Sequence, residues 1–446
     1  MTTRAPRCLL SRSFPLPPLT AARIDRFEAE MAYADTTARS LVLGPAPAPG
    51  DINLRSNDYL SLGRHPELVD AQVKALVESG NGEMMSAVFL NPGNPQFDLE
   101  RKFADLLHAE GAVLFQSGYQ ANTGLLEAVA CPGLPVYIDQ MAHASLYQGV
   151  MIAGADLRPF RHSDVEHLLR QLRRYGPGII LMETVYSTDG SLGPIAEIMD
   201  AAEEFGCILI ADESHSLGTH GPGGAGLVVA LGLQDRVHFR TASLAKAFCG
   251  RAGLVACPRR LAPYLRFTSA PSIFSSAVMP HELVGFARTI DIVQRDEYRR
   301  VRLHRNADRL RSNLDALGYN VSASASQIIA LEAGSEQSVV RLGQALNARG
   351  VYGSPFFAPA TPKHRACIRL SVNAALVDDD LERITAVCGE IRAAVGLAEW
   401  ASTRRKGRRR TPLQREPAGA GAGGHLPVAQ AVRDEAGGET ALRQAA

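Results

Sequence analysis

The sequence lacks the features of a disulfide-stabilised, metal-ribbon or membrane-spanning protein. Its seven cysteines include no C-x-x-C pair, which excludes a zinc ribbon and argues against a disulfide scaffold. No apolar run approaches the roughly 18 residues that cross a bilayer. The first thirty residues contain no long apolar stretch, and Asp25, Glu28 and Glu30 spoil the pattern of a transit peptide. We therefore expect a soluble, reduced, cytoplasmic protein.

Lysine is scarce in this chain of 446 residues. Lysine and arginine together number 47, and only five of these are lysines: Lys74, Lys102, Lys246, Lys363 and Lys406. Acidic residues number 46, so the net charge is +1, and hydrophobic residues make up 46% of the chain. That share is enough for one large core or two, and it is too high for a disordered chain. Because lysine is so rare in this chain, a lysine that lies in an unusual sequence setting is a candidate functional residue.

The last part of the chain differs from the rest in charge and composition. Residues 401–446 contain nine basic and four acidic residues, a net charge of +5 that leaves −4 for residues 1–400. Alternating alanine and glycine over 418–424 cannot build a core, so we predict a disordered basic tail over residues 398–446. Its Arg404–Arg410 cluster could touch nucleic acid or anionic lipid. A solvated tail, with no nucleic acid or membrane partner, is the preferred interpretation.

The middle of the chain alternates short apolar segments with helical segments. The predicted strands are Ala112–Phe115, Val136–Ile138, Ile179–Met182, Cys207–Ala211 and Val237–Thr241, and the helices between them include Val165–Arg174 and Ile195–Phe205. Strands that alternate with helices indicate an α/β fold with a mostly parallel sheet that is covered on both faces.

A smaller α/β domain is predicted after this sheet. A long amphipathic stretch from His281 to Leu317 predicts a connecting helix, and it is followed by the segments Ser326–Leu331, Ala366–Ser371 and Asp379–Val395. We therefore divide the chain into an N-terminal arm (1–50), a large domain (51–290), a small C-terminal domain with the connecting helix (291–397) and the tail.

Asp212 follows five apolar residues, Cys207–Ala211, that predict a buried strand. In doubly wound sheets, ligands bind at the carboxyl edge, where Asp212 would lie. A buried carboxylate at that edge needs a cationic partner. His215 would lie close to Asp212 on the following loop. A structural aspartate with His215 at the surface is the alternative on this segment alone.

Lys246 follows the next predicted strand and lies among small and apolar residues. Such surroundings can desolvate an amine and lower its pKa, as covalent amine chemistry requires. Ser243, three residues earlier, could offer its hydroxyl to a phosphate, and Gly250 and Gly253 allow close backbone approach. The alternative is a lysine at a helix start whose amine simply reaches solvent.

Two further strand ends add a phosphate cradle and an imidazole. The segment Gln116–Asn122 is a strand-to-helix junction whose Gly118 and free amides suit an anion, with Tyr119 beside them. The segment Asp139–Ser145 places His143 just past another strand. A lone histidine or tyrosine is more often structural. An acid, an amine, an imidazole and a phosphate cradle at four strand ends nevertheless describe together a pocket for pyridoxal 5′-phosphate (PLP).

Several segments together resemble the α-oxoamine synthase family of fold-type I PLP enzymes. The resemblance runs from about residue 53 to residue 395 and keeps the order of the family: Asn57–Leu62, Gln116–Asn122, Asp139–Ser145, Ala211–His215, Thr241–Lys246 and Ile368–Ser371. It implies the fold of a fold-type I PLP-dependent transferase, in which a large, mostly parallel sheet domain precedes a smaller C-terminal α/β domain.

Other segments are similar to one branch of that family, the α-hydroxyketone quorum-sensing autoinducer synthases: Met84–Leu90, Glu183–Ser187, Asp212–Pro222 and Ile273–Ser276. The sequence departs from the broader family at Ala87, where arginine is usual, at Asn91 and Pro92, where Gly-Thr is usual, and at Gln96, where histidine is usual. These departures favour the signalling branch and argue against a typical glycine or alanine substrate.

The resemblance implies three catalytic groups. Lys246 would hold PLP through its amine and later move the α-proton of the substrate, Asp212 would keep the ring nitrogen of PLP protonated, and His143 would stack on the ring. Further cofactor-binding roles are implied for Gly118, Tyr119 and Ser243 at the phosphate, His215 and Ser187 at the phenolic oxygen, and Ser275 and Ser276 from a partner subunit. Asn57 would line the substrate pocket, and Arg369 would clamp the substrate carboxylate. Serines shared between subunits would make the active unit a homodimer.

The implied reaction is a decarboxylating condensation of an amino acid with an acyl-CoA. In the signalling branch the amino donor is 2-aminobutyrate or S-adenosylmethionine, the acyl chain is medium or long, and the product is a long-chain α-amino ketone. The alternatives within the family are an 8-amino-7-oxononanoate synthase and a glycine C-acetyltransferase. The alternative of another class is a non-catalytic protein that keeps the fold and acts through its basic tail. The joint presence of Lys246, Asp212 and Arg369 argues against it.

Overall fold

The computed structural model describes residues 16–32, 39–44, 46–358 and 360–404. The strands of this part of the chain are β1 (Ile52–Asn53), β2 (Gly111–Phe115), β3 (Pro135–Asp139), β4 (Asp156–Phe160), β5 (Ile179–Glu183), β6 (Ile208–Asp212), β7 (Phe239–Ser243), β8 (Gly253–Cys257), β9 (Ile328–Gly334), β10 (Val351–Tyr352), β11 (Ser354–Phe356) and β12 (Ala366–Ser371).

The helices are α1 (Pro18–Ala32), α2 (Arg39–Leu43), α3 (Pro66–Ser79), α4 (Pro95–Leu106), α5 (Gly118–Val129), α6 (Ala144–Ile152), α7 (Val165–Tyr175), α8 (Ile195–Phe205), α9 (Leu227–Ala230), α10 (Leu261–Thr268), α11 (Ala270–Ile273), α12 (Pro280–Arg295), α13 (Glu297–Ala316), α14 (Glu336–Asn347), α15 (Asp378–Ile391) and α16 (Ala401–Arg404). Short 3₁₀ segments lie at Ala87–Phe89, Pro222–Gly224 and Leu397–Glu399.

The main sheet of the described chain has seven strands in the order β2-β8-β7-β6-β5-β3-β4. Neighbouring strands from β7 to β4 pair in parallel, whereas β8 is antiparallel to both β7 and β2. The prediction of a mostly parallel sheet is therefore confirmed, although β4 and β8 were not predicted. Because the parallel strands share one direction, the carboxyl ends of β3, β5, β6 and β7 lie along the same edge.

The central strands are buried on both faces. On β6, Leu209 and Ala211 pack into one hydrophobic core, whereas Ile210 between them packs into another. Ile179 and Ile180 on β5 divide between the same two cores. Burial of one such aliphatic side chain stabilises the fold by about 2 kcal/mol. Covering on both faces explains why these strands are continuous apolar runs rather than alternating ones.

A second sheet lies in the C-terminal part of the chain. It is antiparallel, with the order β11-β12-β9. Arg369 on β12 lies opposite Ala330 on β9 and Ser354 on β11. Because side chains alternate along a strand, Cys367 and Arg369 share one face of this sheet. The arginine that the sequence singles out is therefore carried by a different sheet from Asp212 and Lys246.

The predicted single helix from His281 to Leu317 is wrong. The chain forms two helices, α12 and α13, which are separated at Asp296, where φ of −93° and ψ of 56° are not helical. The Asp296 carboxylate forms ion pairs with Arg295 at 2.7 Å and Arg299 at 3.4 Å. The amphipathic pattern continues through the break, so no local signal indicates it.

The N-terminal segments join the C-terminal part of the structure. β1 pairs in parallel with β10, with Ile52 opposite Val351, so the first strand after the predicted boundary at 51 does not belong to the main sheet. On α2, Leu41 packs so closely on α14 that a Cβ at Gly343 would lie 2.4 Å from Leu41 Cδ1. The remaining parts of the predicted arm, residues 1–15, 33–38 and 45, lie outside the described residues.

The end of the described chain is folded beyond the predicted boundary at 398. Trp400 is buried, its Nε1 donates a hydrogen bond to the Val395 carbonyl at 3.1 Å, and its ring packs on Tyr319. The predicted tail from 405 onward lies outside the described residues, so its disorder stays a prediction. Among the residues described, no helix combines the length and apolar character needed to cross a membrane.

Candidate active site

Asp212 lies buried at the carboxyl end of β6. Its Oδ2 accepts a hydrogen bond from Nδ2 of Asn122 at 2.8 Å, and its Oδ1 accepts one from the Ser214 backbone N–H at 2.9 Å. Both of these donors are neutral, and within the described residues Asp212 forms no ion pair with lysine or arginine. A buried carboxylate with neutral donors alone fits the protonated ring nitrogen of PLP, which supplies the missing positive charge.

Asn122 on α5 connects Asp212 to His143. The same Nδ2 donates to Oγ of Ser145 at 2.9 Å, and that oxygen lies 2.8 Å from Nδ1 of His143. His143 caps α6, and its Nδ1 also accepts the Ser145 backbone N–H at 3.2 Å. Because Nδ1 accepts a hydrogen, we assign the ring proton to Nε2. Partial desolvation lowers the pKa of His143, and although the Asp212 charge opposes this, the Lys246 charge adds to it, which favours a neutral ring suited to stacking on the cofactor.

Lys246 lies on the turn that follows β7, at the same edge as Asp212. Burial lowers the pKa of Lys246, and the positive charge of Arg369 lowers it further, although Asp212 and Glu183 oppose this effect. A lowered pKa increases the fraction of neutral amine, which is the form that attacks a carbonyl carbon. The structure thus places Lys246 in the setting that covalent attachment of an aldehyde cofactor requires.

The first turn of α5 packs directly against the end of β7. A Cβ on Gly118 would lie 2.5 Å from Cβ of Ser243, so only glycine permits this approach. Ser117 caps the helix and accepts the Gln120 N–H at 3.2 Å, whereas the amides of Gly118 and Tyr119 precede the first intrahelical hydrogen bond. These amides and the Ser243 hydroxyl fit a phosphate group.

Arg369 reaches this edge from the second sheet. Its Nη1 donates to the Ser187 carbonyl at 2.8 Å and its Nη2 to Oδ1 of Asn57 at 2.9 Å. The Tyr59 hydroxyl continues the network, since it lies 3.3 Å from Oδ1 of Asn57 and 2.7 Å from Nδ1 of His215. Nε of Arg369 is buried and, among the described residues, has no hydrogen-bond partner. A positioned guanidinium with a free donor is suited to bind a carboxylate.

Glu183 is a site residue to which the sequence analysis assigned no role. It ends β5 directly opposite Asp212, and its Oε2 accepts the Ser187 N–H at 2.9 Å. Its Oε1 is buried and has no partner among the described residues. Burial raises the pKa of Glu183 well above its ordinary value, and the neighbouring Asp212 charge adds to the shift, so the protonated form is favoured.

Asn122 and Tyr59 also received no role from the sequence analysis. Both lie inside segments that carried the family resemblance, Gln116–Asn122 and Asn57–Leu62. Their partners, Asp212 and His215, are 90 and 156 residues away in sequence, respectively. The position of Glu183 at a strand end was a signal that could have identified it. The distant pairings of Asn122 and Tyr59 had no signal in the sequence.

Most of the predicted site residues come together at this edge, but three do not contact the network described above. Tyr119 is 47% exposed, as expected if only its amide has a role. Ser275 and Ser276 lie beside α5 of their own chain, where Nε2 of Gln120 donates to Ser275 Oγ at 3.4 Å and Nε2 of Gln116 donates to the Ser276 carbonyl. Their contribution to a partner's site therefore stays a prediction.

The fold and these groups define a PLP-dependent enzyme of fold type I. When bound, PLP supplies an electron sink for the α-carbon of an amino acid. The chain belongs to the aminotransferase class I and II family, whose model matches residues 49–387.

The chain is also similar to individual enzymes along most of its length. It is 40% identical to the CAI-1 autoinducer synthase of Vibrio campbellii over 376 residues, which cover 84% of this chain and 95% of that protein. It is 32% identical to the serine palmitoyltransferase of Caulobacter vibrioides, over 78% of this chain and 87% of that one. It is 31% identical to the 8-amino-7-oxononanoate synthase of Symbiobacterium thermophilum, over 78% and 89%.

Solved structures show the same relationship. Sphingomonas wittichii serine palmitoyltransferase superimposes with a TM-score of 0.79 at 26% identity, over 86% of this chain and 100% of that one. A high-resolution structure of serine palmitoyltransferase (SPT) with PLP gives a TM-score of 0.79 at 25% identity, over 86% of this chain and 100% of that one. The predicted fold class and the PLP cofactor are thus confirmed. The protein is a PLP-dependent acyltransferase of the α-oxoamine synthase type.

Proposed function

We propose that this protein condenses a small amino acid with a medium- or long-chain acyl-CoA, with loss of CoA and carbon dioxide. The product would be a long-chain α-amino ketone, the precursor of an α-hydroxyketone quorum-sensing autoinducer. The observation that carries the proposal is the position of Arg369, which is held by Asn57 and Ser187 at the edge that also bears Lys246 and Asp212. The similarity to an autoinducer synthase supports the signalling product.

The residues at this edge divide the work of the proposed reaction. Arg369 would bind the carboxylate of the amino donor and so orient its α-carbon. Lys246 would take the α-proton on Nζ, for which its lowered pKa prepares it. Asp212 would hold the proton on the cofactor ring nitrogen, and Asn122 would hold Asp212 in place. His143 would cover one face of the ring, and the neutral Glu183 carboxyl would add no second negative charge beside Asp212.

Visible absorption spectra of the PLP-loaded protein would test this proposal. We expect a coloured protein whose spectrum shifts with 2-aminobutyrate or S-adenosylmethionine, and whose colour is lost in Lys246→Ala. Lys74→Ala, at an exposed position paired with Glu78, is the matched control and should keep the colour. Mass spectrometry after addition of an acyl-CoA should then detect the α-amino ketone.

Other results of the same experiment would point elsewhere. A shift with alanine alone would indicate the 8-amino-7-oxononanoate synthase reaction, and a shift with glycine alone would indicate the C-acetyltransferase reaction. A protein that stays colourless after incubation with PLP would contradict the mechanism.

We also propose that the active unit is a homodimer in which Ser275 and Ser276 approach the partner's phosphate site. Three large apolar side chains near these serines are exposed, namely Phe89 (69%), Phe267 (63%) and Phe274 (81%). Phe89 lies in the 3₁₀ segment Ala87–Phe89, Phe267 lies on α10, and Phe274 directly follows α11; these three elements contact one another. An exposed apolar patch of this kind is typical of a protein–protein interface.

Sedimentation velocity would test the dimer. Phe274→Glu should shift the protein toward monomer and weaken its affinity for PLP. Val301→Glu, at an exposed position on α13, should leave the sedimentation coefficient unchanged. A wild-type protein that is monomeric while it binds PLP at full affinity would rule out shared sites.

A further inference from the structure

A cavity of about 570 Å³ lies beside the proposed active site, between the edge of the main sheet and the second sheet. Ala142 and Ala144, which line it, stand on either side of His143 in the chain. Thr188 follows the serine whose carbonyl binds Arg369, and Cys367 lies two residues before that arginine on β12. The cavity therefore begins where the groups assigned to the cofactor and the amino donor end.

Much of the cavity wall is apolar. It includes Met141, Tyr147 and Pro362 in addition to the two alanines. Ala330 and Cys367 form the part of the wall that belongs to the second sheet, where β9 and β12 are hydrogen-bonded neighbours. Both of these side chains are otherwise buried. A wall of this composition favours an uncharged, flexible ligand.

The charged side chains of the wall are paired within the protein. Nε and Nη2 of Arg365 donate to Oε2 of Glu332 at 3.1 and 3.0 Å. Oδ1 of Asp189 accepts both the backbone N–H and the hydroxyl of Ser191, at 3.0 and 2.7 Å. The one guanidinium on the described wall is thus already neutralised, and two carboxylates stand near it. These groups disfavour a phosphate or a nucleotide in the cavity.

His162, the histidine of the wall, is also paired on both sides. Its Nδ1 lies 3.0 Å from Oδ1 of Asp139, and its Nε2 lies 3.2 Å from Oγ of Ser191. Because the Ser191 hydroxyl donates its hydrogen to Asp189, both ring nitrogens of His162 act as donors. Burial alone would lower the pKa of His162, but the Asp139 carboxylate raises it, as this pairing requires. Ser191 is therefore no nucleophile, although Asp139, His162 and Ser191 stand in the order of a catalytic triad.

We propose that this cavity binds the hydrocarbon chain of the acyl donor, an inference that rests on the proposed condensation. Apolar side chains form much of the wall, its charged groups already form hydrogen bonds within the protein, and its lining adjoins His143 and Arg369 along the chain. Each methylene that the cavity buries is expected to tighten binding about fourfold. Acyl chain preference is then set by the cavity rather than by the residues that bind PLP.

Binding of non-reactive thioethers would test the assignment. Ala144→Phe, at an exposed first residue of α6, adds a ring at the cavity wall without disturbing the core. By isothermal titration of the PLP-loaded enzyme, we expect S-dodecyl-CoA to bind this variant at least about tenfold more weakly, with CoA alone changed by less than about twofold. Ala348→Phe, at an exposed position at the end of α14, is the matched control and should bind both ligands as the wild type does.

A second variant keeps the test decisive if Ala144→Phe does not fold. Met141→Ala removes apolar wall, so the gain in affinity from S-octyl-CoA to S-dodecyl-CoA should become smaller. If Ala144→Phe weakens CoA alone to the same extent as S-dodecyl-CoA, the cavity binds the nucleotide and the proposal is wrong. It is equally wrong if only the KM of the amino donor rises.

The two proposals can fail separately. If condensation proceeds but its dependence on acyl chain length is the same in wild type and Ala144→Phe, the proposed function stands and the cavity assignment falls. If no amino donor is condensed, yet S-dodecyl-CoA binds tightly to the wild type and weakly to the variant, the cavity assignment stands and the proposed function falls.

Discussion

The side-chain amide of Asn122 donates a 2.8 Å hydrogen bond to Oδ2 of Asp212, and the same nitrogen lies 2.9 Å from Oγ of Ser145. This one amide therefore connects the carboxylate at the end of β6 with the turn that carries His143. Asp212 has only one further donor among the described contacts, the Ser214 backbone N–H. The orientation of the carboxylate toward the cofactor thus depends strongly on Asn122.

Asn122→Leu should weaken PLP binding about tenfold or more. Removing one of two donors from a buried carboxylate costs about 1–3 kcal/mol and frees Asp212 to turn away from the ring nitrogen. Absorbance titration of the apoenzyme with PLP measures the effect. Asn313→Leu, which removes an amide that donates to Oγ1 of Thr385 on α15, is a matched control away from the site. An unchanged PLP affinity in Asn122→Leu would show that Asp212 is positioned without it.

Arg369→Lys should raise the KM of the amino donor about tenfold or more and change kcat less. A lysine cannot keep the contacts to Asn57 and Ser187 and also present a planar pair of donors to a carboxylate. Steady-state kinetics with the donor varied at saturating acyl-CoA measures the change. Arg383→Lys, an exposed position that bonds the Gly50 carbonyl, should leave both constants near wild type. A tenfold decrease in kcat with an unchanged KM of the amino donor would argue against a role of Arg369 in binding the carboxylate.

Gly118→Ala should destabilise the apoenzyme by about 1–3 kcal/mol and weaken PLP binding. The new methyl group would lie 2.5 Å from Cβ of Ser243, so α5 must move away from β7 and take the phosphate amides with it. Urea unfolding measures the first effect and absorbance titration the second. Gly389→Ala is the matched control, because the nearest atom to its new methyl is 3.6 Å away and alanine favours the α15 helix. Wild-type stability in Gly118→Ala would contradict the close approach.

His220 should make the folded state less stable as the pH falls. Its side chain is half-buried, with its ring centroid 4.9 Å from that of His304 and its Nδ1 2.9 Å from Oγ1 of Thr219. Burial lowers the pKa of His220 to about 3, and the His304 charge adds to this shift. Between pH about 6.5 and 3 the unfolded chain therefore binds a proton that the folded chain does not, which costs up to about 1.4 kcal/mol per pH unit.

Urea unfolding of wild type and His220→Gln at several pH values would check this sign. The free energy of unfolding of the wild type, relative to the variant, should decrease as the pH falls from 6.5 to 5 by about 2 kcal/mol. Above about pH 7 the difference should be constant. A difference that does not vary with pH would mean that His220 has the same pKa in the folded and unfolded states.

Much of the fold follows from local patterns. The apolar runs at β3, β5 and β6 and the helices α7 and α8 match their predicted positions within one or two residues, because burial on both faces leaves a strong signal. Strand β4 gave no such signal, since it is an exposed edge strand that contains Pro159. Strand β8 is a buried apolar run, GLVAC, and was missed although its pattern could have identified it. The division of the connecting helix at Asp296 was hidden because both halves share one amphipathic pattern.

The sequence by itself determined which residue types stand at the strand ends, and through them the cofactor, because Asp212, Lys246, His143 and Gly118 each follow a recognisable strand or junction. Tertiary structure alone decided the pairings across long separations: Asn122 with Asp212, Tyr59 with His215, and Arg369 with Asn57. It also decided the cavity beside them, whose walls come from both sheets. The physical reason is that strand patterns are local, whereas hydrogen bonds between distant segments depend on how the two sheets pack together.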